Sequence, residues 1–201
     1  LVAFIMVPDL IMRGLFNRGA FTAADAHAAG TTLAVYAIGL LPFVLTRNAS
    51  TTFLARGDTA TPVKALFAGV TVNVILKVLL MGPYAQVGLA FATSVGAWIN
   101  VGLLFWFASR QKLLVLDPRL RQACVKLVIA AVALAIALWL ARWAISRAIP
   151  EGAPLRDVMI LGALMVVGGV VYGAAVAALF GRQLLAAFRR RGAAATPTVA
   201  E

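Results

Sequence analysis

Long apolar runs are the feature that most constrains what this chain can fold into. A helix needs about 20 mostly apolar residues to cross the hydrocarbon core of a bilayer. Five runs approach or exceed that length, at roughly 29–55, 62–82, 85–108, 123–146 and 158–180. A sixth run, 1–16, resembles the end of another spanning helix. Because lipid offers the backbone no hydrogen-bond partners, these runs predict an all-α integral membrane protein.

The composition excludes an ordinary soluble domain. Of the 201 residues, 63% are hydrophobic and 12% are charged, whereas a soluble domain is about 45–50% apolar and about a quarter charged. The net charge of +11 does not by itself indicate nucleic-acid binding, because the basic residues form short clusters between the apolar runs rather than one face. We therefore expect membrane lipids, and no nucleic acid, as partners.

Three boundary signals separate the runs. Thr22 followed by Asp25 has the spacing of a helix N-cap with an acid three residues on. Thr61 before Pro62 predicts a cap followed by proline at the first helical position. Gly82-Pro83 predicts the break between two spanning helices. Each signal predicts that the apolar runs are separate helices joined by short connections.

The basic residues predict the orientation of the chain. If the helices alternate, eleven Lys and Arg fall on one side, in 56–64, 109–126 and the tail, and four on the other. The positive-inside rule then places the C-terminus in the cytoplasm. We divide the chain into 1–108, part of a transporter lobe; 109–122, a cytoplasmic connection; 123–181, two further spanning helices; and 182–201, a basic tail with a disordered end. The start at Leu1, inside an apolar run, predicts a piece of a longer protein.

Arg47 lies within the first complete run, and Ser50 and Thr51 follow it at helical spacing. A charge at the bilayer centre costs at least about 2.5 kcal/mol, so such residues normally face a cavity or a bundle interior. Arg47 has no acid within one helical turn, and a guanidinium suits a phosphate ligand. The alternative is that its side chain extends to the headgroups, because Arg56 at the cytoplasmic end is nine residues away.

Other polar residues within the runs have structural as well as functional interpretations. Asp9 and Arg13 are four residues apart and can form an ion pair on one helical face. Lys77 follows Asn73 by four residues and is either a cavity residue or an interfacial lysine. The Gly169-x-x-x-Gly173 pair is a helix-contact motif of low specificity.

The sequence holds no set of residues typical of catalysis or metal binding. It has one histidine, His27, one cysteine, Cys124, and seven acids, so general acid–base chemistry has few candidates. We expect no enzyme activity, no cofactor and no metal site. Several spanning helices with charges between them indicate transport or lipid handling.

Three stretches resemble the MurJ (MviN) family of lipid II flippases: LFNRGAFTAADA (15–26), YAIGLLPFVLTRNASTTFLARGDTATPVK (36–64) and VGLAFATSVGAWINVGLLFW (87–106). The resemblance covers the whole chain, from the end of the family's ninth helix through its fourteenth. It implies the fold of the MOP exporter superfamily, with part of the second lobe plus two C-terminal helices.

The resemblance also implies a function. Members move undecaprenyl-diphosphate-linked lipid II across the bacterial inner membrane for peptidoglycan synthesis, by alternating access. The headgroup crosses through a cationic cavity, and the lipid tail stays in a groove beside the last two helices. On that basis the candidate substrate-binding residues are Arg47, Ser50, Thr51 and Arg13. The partners would be lipid II and the N-terminal half of the same transporter, which holds most of the family's cavity arginines.

The resemblance raises a question about ion coupling. Some members of that family bind sodium through an Asn and an acid four residues apart on one helix and a Thr on the next. Asn73 and Thr93 match two of these positions, but the acid position holds Lys77. One hypothesis is that the Lys77 ammonium occupies the space of the sodium ion, and the alternative is that it extends to the interface.

Two other functions remain open at this stage. One is another MOP-superfamily exporter, such as a polysaccharide-lipid flippase or a drug antiporter. The DTATPV turn and the two extra helices argue against it. The other is a membrane scaffold subunit that transports nothing, which six apolar segments without a large soluble domain leave possible.

Overall fold

The computed structural model describes residues 1–16, 21–113, 118–150 and 155–194, and every regular element in them is a helix. This confirms the all-α membrane fold. The helices are α1 (Val2–Met6), α2 (Pro8–Phe16), α3 (Ala23–Leu54), α4 (Ala60–Arg110), α5 (Pro118–Ala148) and α6 (Arg156–Ala194). The helix α6 includes residues 192–194, which we had expected to be disordered, while 195–201 lie outside the described residues.

The first apolar segment is a broken helix rather than the single helix that we expected. Val7, between α1 and α2, has φ −137° and ψ 44°. Pro8 follows it, and a proline has no N–H to continue the helical hydrogen bonds. Val7 is nevertheless buried and packs against Leu138, Ile160 and Leu164. The break therefore lies inside the packed part of the molecule.

The helix α3 begins where the sequence predicts. The Thr22 backbone N–H donates to Asp25 Oδ2 at 2.9 Å, and the Asp25 N–H donates to Thr22 Oγ1 at 3.2 Å. This reciprocal capping box satisfies two of the N–H groups that a helix start leaves without partners. Phe16 and Phe21 pack at a ring-centroid distance of 6.1 Å across the α2–α3 connection.

The helix α4 is 51 residues long and folds back on itself as two antiparallel arms. Its backbone leaves the helical region at Ala85, with φ 45° and ψ −125°. Beyond the turn, Gly88 faces the Leu80 carbonyl, which a Cβ on Gly88 would approach to 2.5 Å. The arms are 60–84 and 86–110. The predicted break at Gly82-Pro83 is thus correct in kind but lies two to three residues too early.

Each arm of α4 has one Gly-x-x-x-Asn turn, Gly69–Asn73 in the first and Gly96–Asn100 in the second. The glycine of each arm packs against the asparagine of the other. A Cβ on Gly69 would lie 2.9 Å from Asn100 Cβ, and one on Gly96 would lie 2.8 Å from Asn73 Cβ. Only glycine lets two helices approach this closely. Asn100 is buried here, and the Oδ1 atoms of Asn73 and Asn100 are buried without a hydrogen-bond partner.

The start of α4 corrects the cap predicted at Thr61. The helix begins at Ala60, and Asp58 is the capping acid: Oδ1 accepts from the Thr61 N–H at 3.0 Å and Oδ2 from the Thr61 hydroxyl at 2.6 Å. These hydrogen bonds, the hydroxyl first, lower the pKa of the Asp58 carboxyl. The threonine therefore stabilises the cap rather than forming it.

The helix α3 packs on α4. The Ser94 hydroxyl donates to the Val35 carbonyl at 2.8 Å. At the opposite end of α3, Phe53 packs with Ala65, Leu104 and Ala108. Since Val35 lies beside Ser94 and Phe53 beside Ala108, α3 runs parallel to the second arm of α4.

The helices α5 and α6 form a separate antiparallel pair. Gly168 of α6 packs against Leu138 of α5, where a Cβ would lie 3.3 Å from Leu138 Cδ2. The Gly169-x-x-x-Gly173 motif noted in the sequence makes no such contact among the described residues, since a Cβ on either glycine would meet nothing there within 4 Å. Within the described part of the chain, this pair contacts α1 and α2 but neither α3 nor α4.

Four of the described helical segments are long and apolar enough to cross a membrane: Ala23–Leu54, Ala60–Arg110, Leu120–Arg147 and Arg156–Leu179. With α4 folded into two arms, they give five crossings. Large apolar side chains point outward, among them Phe43 at 73% and Val78 at 75% exposure. This surface suits lipid or further helices rather than water.

Candidate functional site

An apolar groove of about 400 Å³ lies where α1 and α2 meet the α5–α6 pair. All of its lining residues are apolar or glycine. They are Ala3, Phe4, Val7, Ile11, Leu15, Leu134, Leu138, Leu161, Leu164, Met165, Gly168 and Gly169. A groove with this lining can hold a hydrocarbon chain and offers nothing to a polar headgroup.

The sequence builds the groove from helical spacing and two close approaches. Leu134 and Leu138 are four residues apart on α5, so both face the same side. Gly14 lets α2 approach α6, because a Cβ there would lie 2.8 Å from Leu161 Cδ2. The break at Val7 turns α1 so that residues on both sides of it line the same groove.

Arg47 lies on α3, outside this groove, and its side chain is exposed. Ser50 is half-buried, and the Thr51 hydroxyl donates to the Asn48 carbonyl at 2.8 Å. Asp9–His27 is the one ion pair among the described residues, so no carboxylate there neutralises Arg47. The Arg47 guanidinium is therefore available to an anion.

The predicted ion pair of Asp9 with Arg13 is wrong. Asp9 Oδ2 lies 3.2 Å from His27 Nδ1 on α3 instead. The reason is packing: Gly30 has no side chain, and Asp9 fills the space that a Cβ there would occupy. Arg13 is exposed on α2 and does not line the groove.

Asn73, Lys77 and Thr93 lie on facing arms of α4 at similar depth. Asn73 packs beside Gly96, so Lys77, one turn further, comes level with about residue 92. Lys77 is half-buried, and the Thr93 hydroxyl donates to the Leu89 carbonyl at 2.9 Å. The described contacts include no hydrogen bond that joins the three side chains.

Sequence reasoning missed a group of arginines at the end of α5. The Arg142 Nη1 atom donates to the Met6 carbonyl at 3.4 Å. Arg156 donates to the Ser146 and Ile149 carbonyls at 3.1 and 3.3 Å, which caps α5. The Arg147 guanidinium lies 3.9 Å from the centre of the Trp143 ring. In the sequence these arginines are visible only as basic residues near the connection between two apolar runs. That position did not indicate these contacts.

The opposite end of the molecule also carries basic residues beside apolar helices. Arg110 lies 5.3 Å from the centre of the Trp106 ring. Lys126 Nζ donates to the Leu179 carbonyl at 2.9 Å, which ties α5 to α6. Tryptophan with arginine at both ends is typical of helices whose ends lie at membrane interfaces.

Comparison with known proteins gives one consistent result. The family model described as "Lipid II flippase MurJ" matches residues 2–154. A probable lipid II flippase MurJ of Rhizobium meliloti (strain 1021) is 34% identical over 96% of this chain and 37% of its own length. That of Rhizobium tropici is 33% identical over 85% and 32%.

A probable lipid II flippase MurJ of Rickettsia prowazekii (strain Madrid E) is 27% identical over 84% of this chain and 33% of its own length. The chain thus spans about a third of the length of the curated relatives it matches.

Proposed function

Because the chain belongs to the lipid II flippase MurJ family, a family of multi-pass proteins of the bacterial inner membrane, we propose that it contributes to moving lipid II across that membrane. The observation that carries the proposal is the apolar groove of α1, α2, α5 and α6, beside a bundle that carries Arg47. An amphipathic lipid needs both parts. The polyprenyl tail needs an apolar track, and the diphosphate headgroup needs cations.

The groove is suited to the tail. A polyprenyl chain is hydrocarbon, and the lining offers it apolar side chains on three sides, from α1–α2, α5 and α6. Each buried CH₂ contributes about 0.8 kcal/mol relative to water, although lipid is the competing solvent here. The groove therefore guides and orients the tail rather than extracting it.

Arg47 is suited to the diphosphate. A guanidinium matches phosphate oxygens with two parallel N–H donors, and no described carboxylate competes for it. Nine residues separate Arg47 from Arg56, about 13 Å of helix, which places Arg47 inside the membrane near one face. Ser50, Thr51 and Arg13 are proposed as further contacts to the headgroup.

The orientation and the domain division belong to this proposal. The C-terminus and the 56–64 and 109–126 connections lie in the cytoplasm, supported by eleven basic residues against four and by the positive-inside rule. Residues 1–108 form part of a transporter lobe, and 123–181 form the two additional helices. With this orientation Arg47 lies near the cytoplasmic face, where lipid II enters.

The positions equivalent to a sodium site do not fit that ion. Sodium needs oxygen ligands, yet Lys77 brings an ammonium one turn from Asn73. We propose that transport by this member is independent of sodium, with the Lys77 charge in place of the ion. Sodium-dependent binding of lipid II would contradict this.

The test uses the complete reading frame that encodes this chain, expressed in a bacterium depleted of its own lipid II flippase. We expect rescue of growth by the wild type and roughly tenfold slower lipid II transport with Arg47→Ala, since a charge-assisted hydrogen bond contributes about 1.5–3 kcal/mol. Arg47→Lys should retain part of the activity. Arg56→Ala, on the cytoplasmic turn, is the matched control and should transport normally.

Failure of the wild type to rescue, despite normal membrane insertion, would reject the flippase function. The chain would then belong to another exporter or to a membrane scaffold. Equal activity of Arg47→Ala and wild type at equal expression would keep the flippase function but remove Arg47 from the headgroup path.

A further inference from the structure

We propose that Arg142 forms a second diphosphate-binding site, beside the apolar groove and at a different depth from Arg47, where the headgroup arrives after crossing. The inference rests on the proposed function, because it takes the polyprenyl diphosphate as the ligand. Arg142 lies on α5 and is separate from Arg47, Ser50 and Thr51 of α3, which are the headgroup contacts proposed above. The chemistry is that of a guanidinium placed beside a hydrocarbon track, so that one lipid can engage both.

Arg142 is placed at the groove by α5 itself. Leu134 and Leu138 line the groove, and Arg142 follows Leu138 by one helical turn. Its Nη1 atom reaches the carbonyl of Met6, the residue next to the groove-lining Val7. The guanidinium thus lies beside the groove, next to the break between α1 and α2.

The contact with Met6 leaves most of the Arg142 donors for a ligand. A guanidinium has five N–H donors, and one donates to the Met6 carbonyl at the long distance of 3.4 Å. The side chain is exposed. The neighbouring arginines are engaged otherwise: Arg156 donates to the Ser146 and Ile149 carbonyls at the end of α5, and Arg147 lies over Trp143. Among the three, Arg142 is the one that contacts α1, beside the groove-lining Val7.

Arg142 and Arg47 lie at different depths. Because α2 runs antiparallel to α3 and Asp9 lies beside His27 and Gly30, Met6 comes level with about residue 33 of α3. Fourteen residues separate that level from Arg47, about 20 Å along a helix axis. This is most of the roughly 30 Å of a hydrocarbon core. The two arginines therefore suit the two ends of a headgroup's path.

The occupant is the polyprenyl diphosphate rather than an ordinary phospholipid for two reasons. The guanidinium lies beside the apolar groove, so a ligand that engages both has a long hydrocarbon chain and an anionic head. The family's cargo brings this combination to the protein during every transport cycle. Phosphatidylglycerol is the competing ligand that the experiment must distinguish.

The test measures lipid affinity by native mass spectrometry of the purified complete protein. Undecaprenyl diphosphate, undecaprenol and phosphatidylglycerol are the probes, and Arg47→Ala is the background, which removes the diphosphate site proposed on α3. In that background we expect Arg142→Gln to weaken undecaprenyl diphosphate binding by about fivefold or more, because a charge-assisted hydrogen bond is about twice as strong as a neutral one. Undecaprenol affinity should stay within about twofold, since it has no phosphate.

Two further variants complete the design. Arg142→Lys keeps a positive charge and a donor for the Met6 carbonyl, and should recover part of the lost affinity. Arg147→Gln, on the same helix, removes an arginine that lies over Trp143 and should bind undecaprenyl diphosphate like its parent.

Three results would overturn the proposal: no change with Arg142→Gln; an equal loss of undecaprenol binding, which would make Arg142 a residue that only shapes the groove; or an equal loss of phosphatidylglycerol binding, which would indicate a general anionic-lipid site. These outcomes are distinct from failure of the proposed function. That failure shows in the wild type, as no rescue and no affinity for undecaprenyl diphosphate.

Discussion

At the scale of single residues, Asp9 shows why spacing along the sequence did not identify an ion pair. Arg13 lies at the right separation on the same helix, but Asp9 turns toward α3, where Gly30 leaves room and His27 offers Nδ1. Asp9 contacts His27 rather than Arg13 because α3, which carries His27 18 residues later in the chain, packs against α2. Local periodicity holds no information about that neighbour.

A double-mutant cycle tests this pairing. Asp9→Asn and His27→Ala should show a coupling energy of about 0.2–1 kcal/mol, the range for exposed side-chain pairs. Thermal unfolding in lipid nanodiscs measures it. The cycle of Asp9→Asn with Arg13→Ala is the control and should be additive, and coupling there instead would contradict the observed pair.

At the scale of elements, the hairpin of α4 depends on two glycines. Gly69 and Gly96 bring the arms together, and each packs against the asparagine that follows the other by one turn. In the sequence, each of these glycines lies four residues before an asparagine, Asn73 or Asn100. The sequence does not show that the two arms pack on each other, or that each glycine faces the asparagine of the other arm. The folded hairpin shows both.

Substitution of Gly96 tests the packing of the two arms. Gly96→Ala places a Cβ 2.8 Å from both the Gly69 carbonyl and Asn73 Cβ, so the arms must separate. We expect the free energy of unfolding to fall by about 1–3 kcal/mol, as for other overpacked sites. Gly102→Ala is the matched control, because a Cβ there meets nothing within 4 Å. Equal effects of the two substitutions in a denaturant titration would reject close packing.

At the scale of the whole molecule, the chain consists of two helical units joined by a broken helix. The α5–α6 pair contacts the rest of the described structure through α1 and α2, and the α3–α4 bundle does the same. The proposed tail groove lies in the first contact region, and Arg47 lies on the bundle. The proposed function therefore divides the binding of tail and headgroup between two units that share one connecting element.

Hydrogen exchange tests this division. Leu164 is buried among α1, α5 and α6, and Leu104 is buried between α3 and α4. We expect Leu164→Ala to lower amide protection in α5, α6 and α1–α2 while leaving 60–110 unchanged, because cooperative units open separately. Leu104→Ala should do the reverse. A uniform loss of protection from either substitution would show that the described chain unfolds as one unit.

The sequence by itself determined the elements of this protein. Apolar runs near 20 residues can only become spanning helices, because lipid leaves no other way to satisfy the backbone. Thr22 and Asp25 marked one helix start correctly, since a capping box is a local interaction. The motifs also identified the family, which the comparisons then established.

Only the tertiary structure decided how these elements combine. The break at Val7 lies in a run where no boundary was predicted, and the turn at Ala85 lies two to three residues after the predicted one. Val7 packs against α5 and α6, and Gly88 packs on the Leu80 carbonyl, so contacts between elements decide both positions. The groove and the position of Arg142 beside it arise from helices distant in sequence. Hydrophobic periodicity shows that a helix face is apolar, but the partner that covers it depends on the three-dimensional contacts.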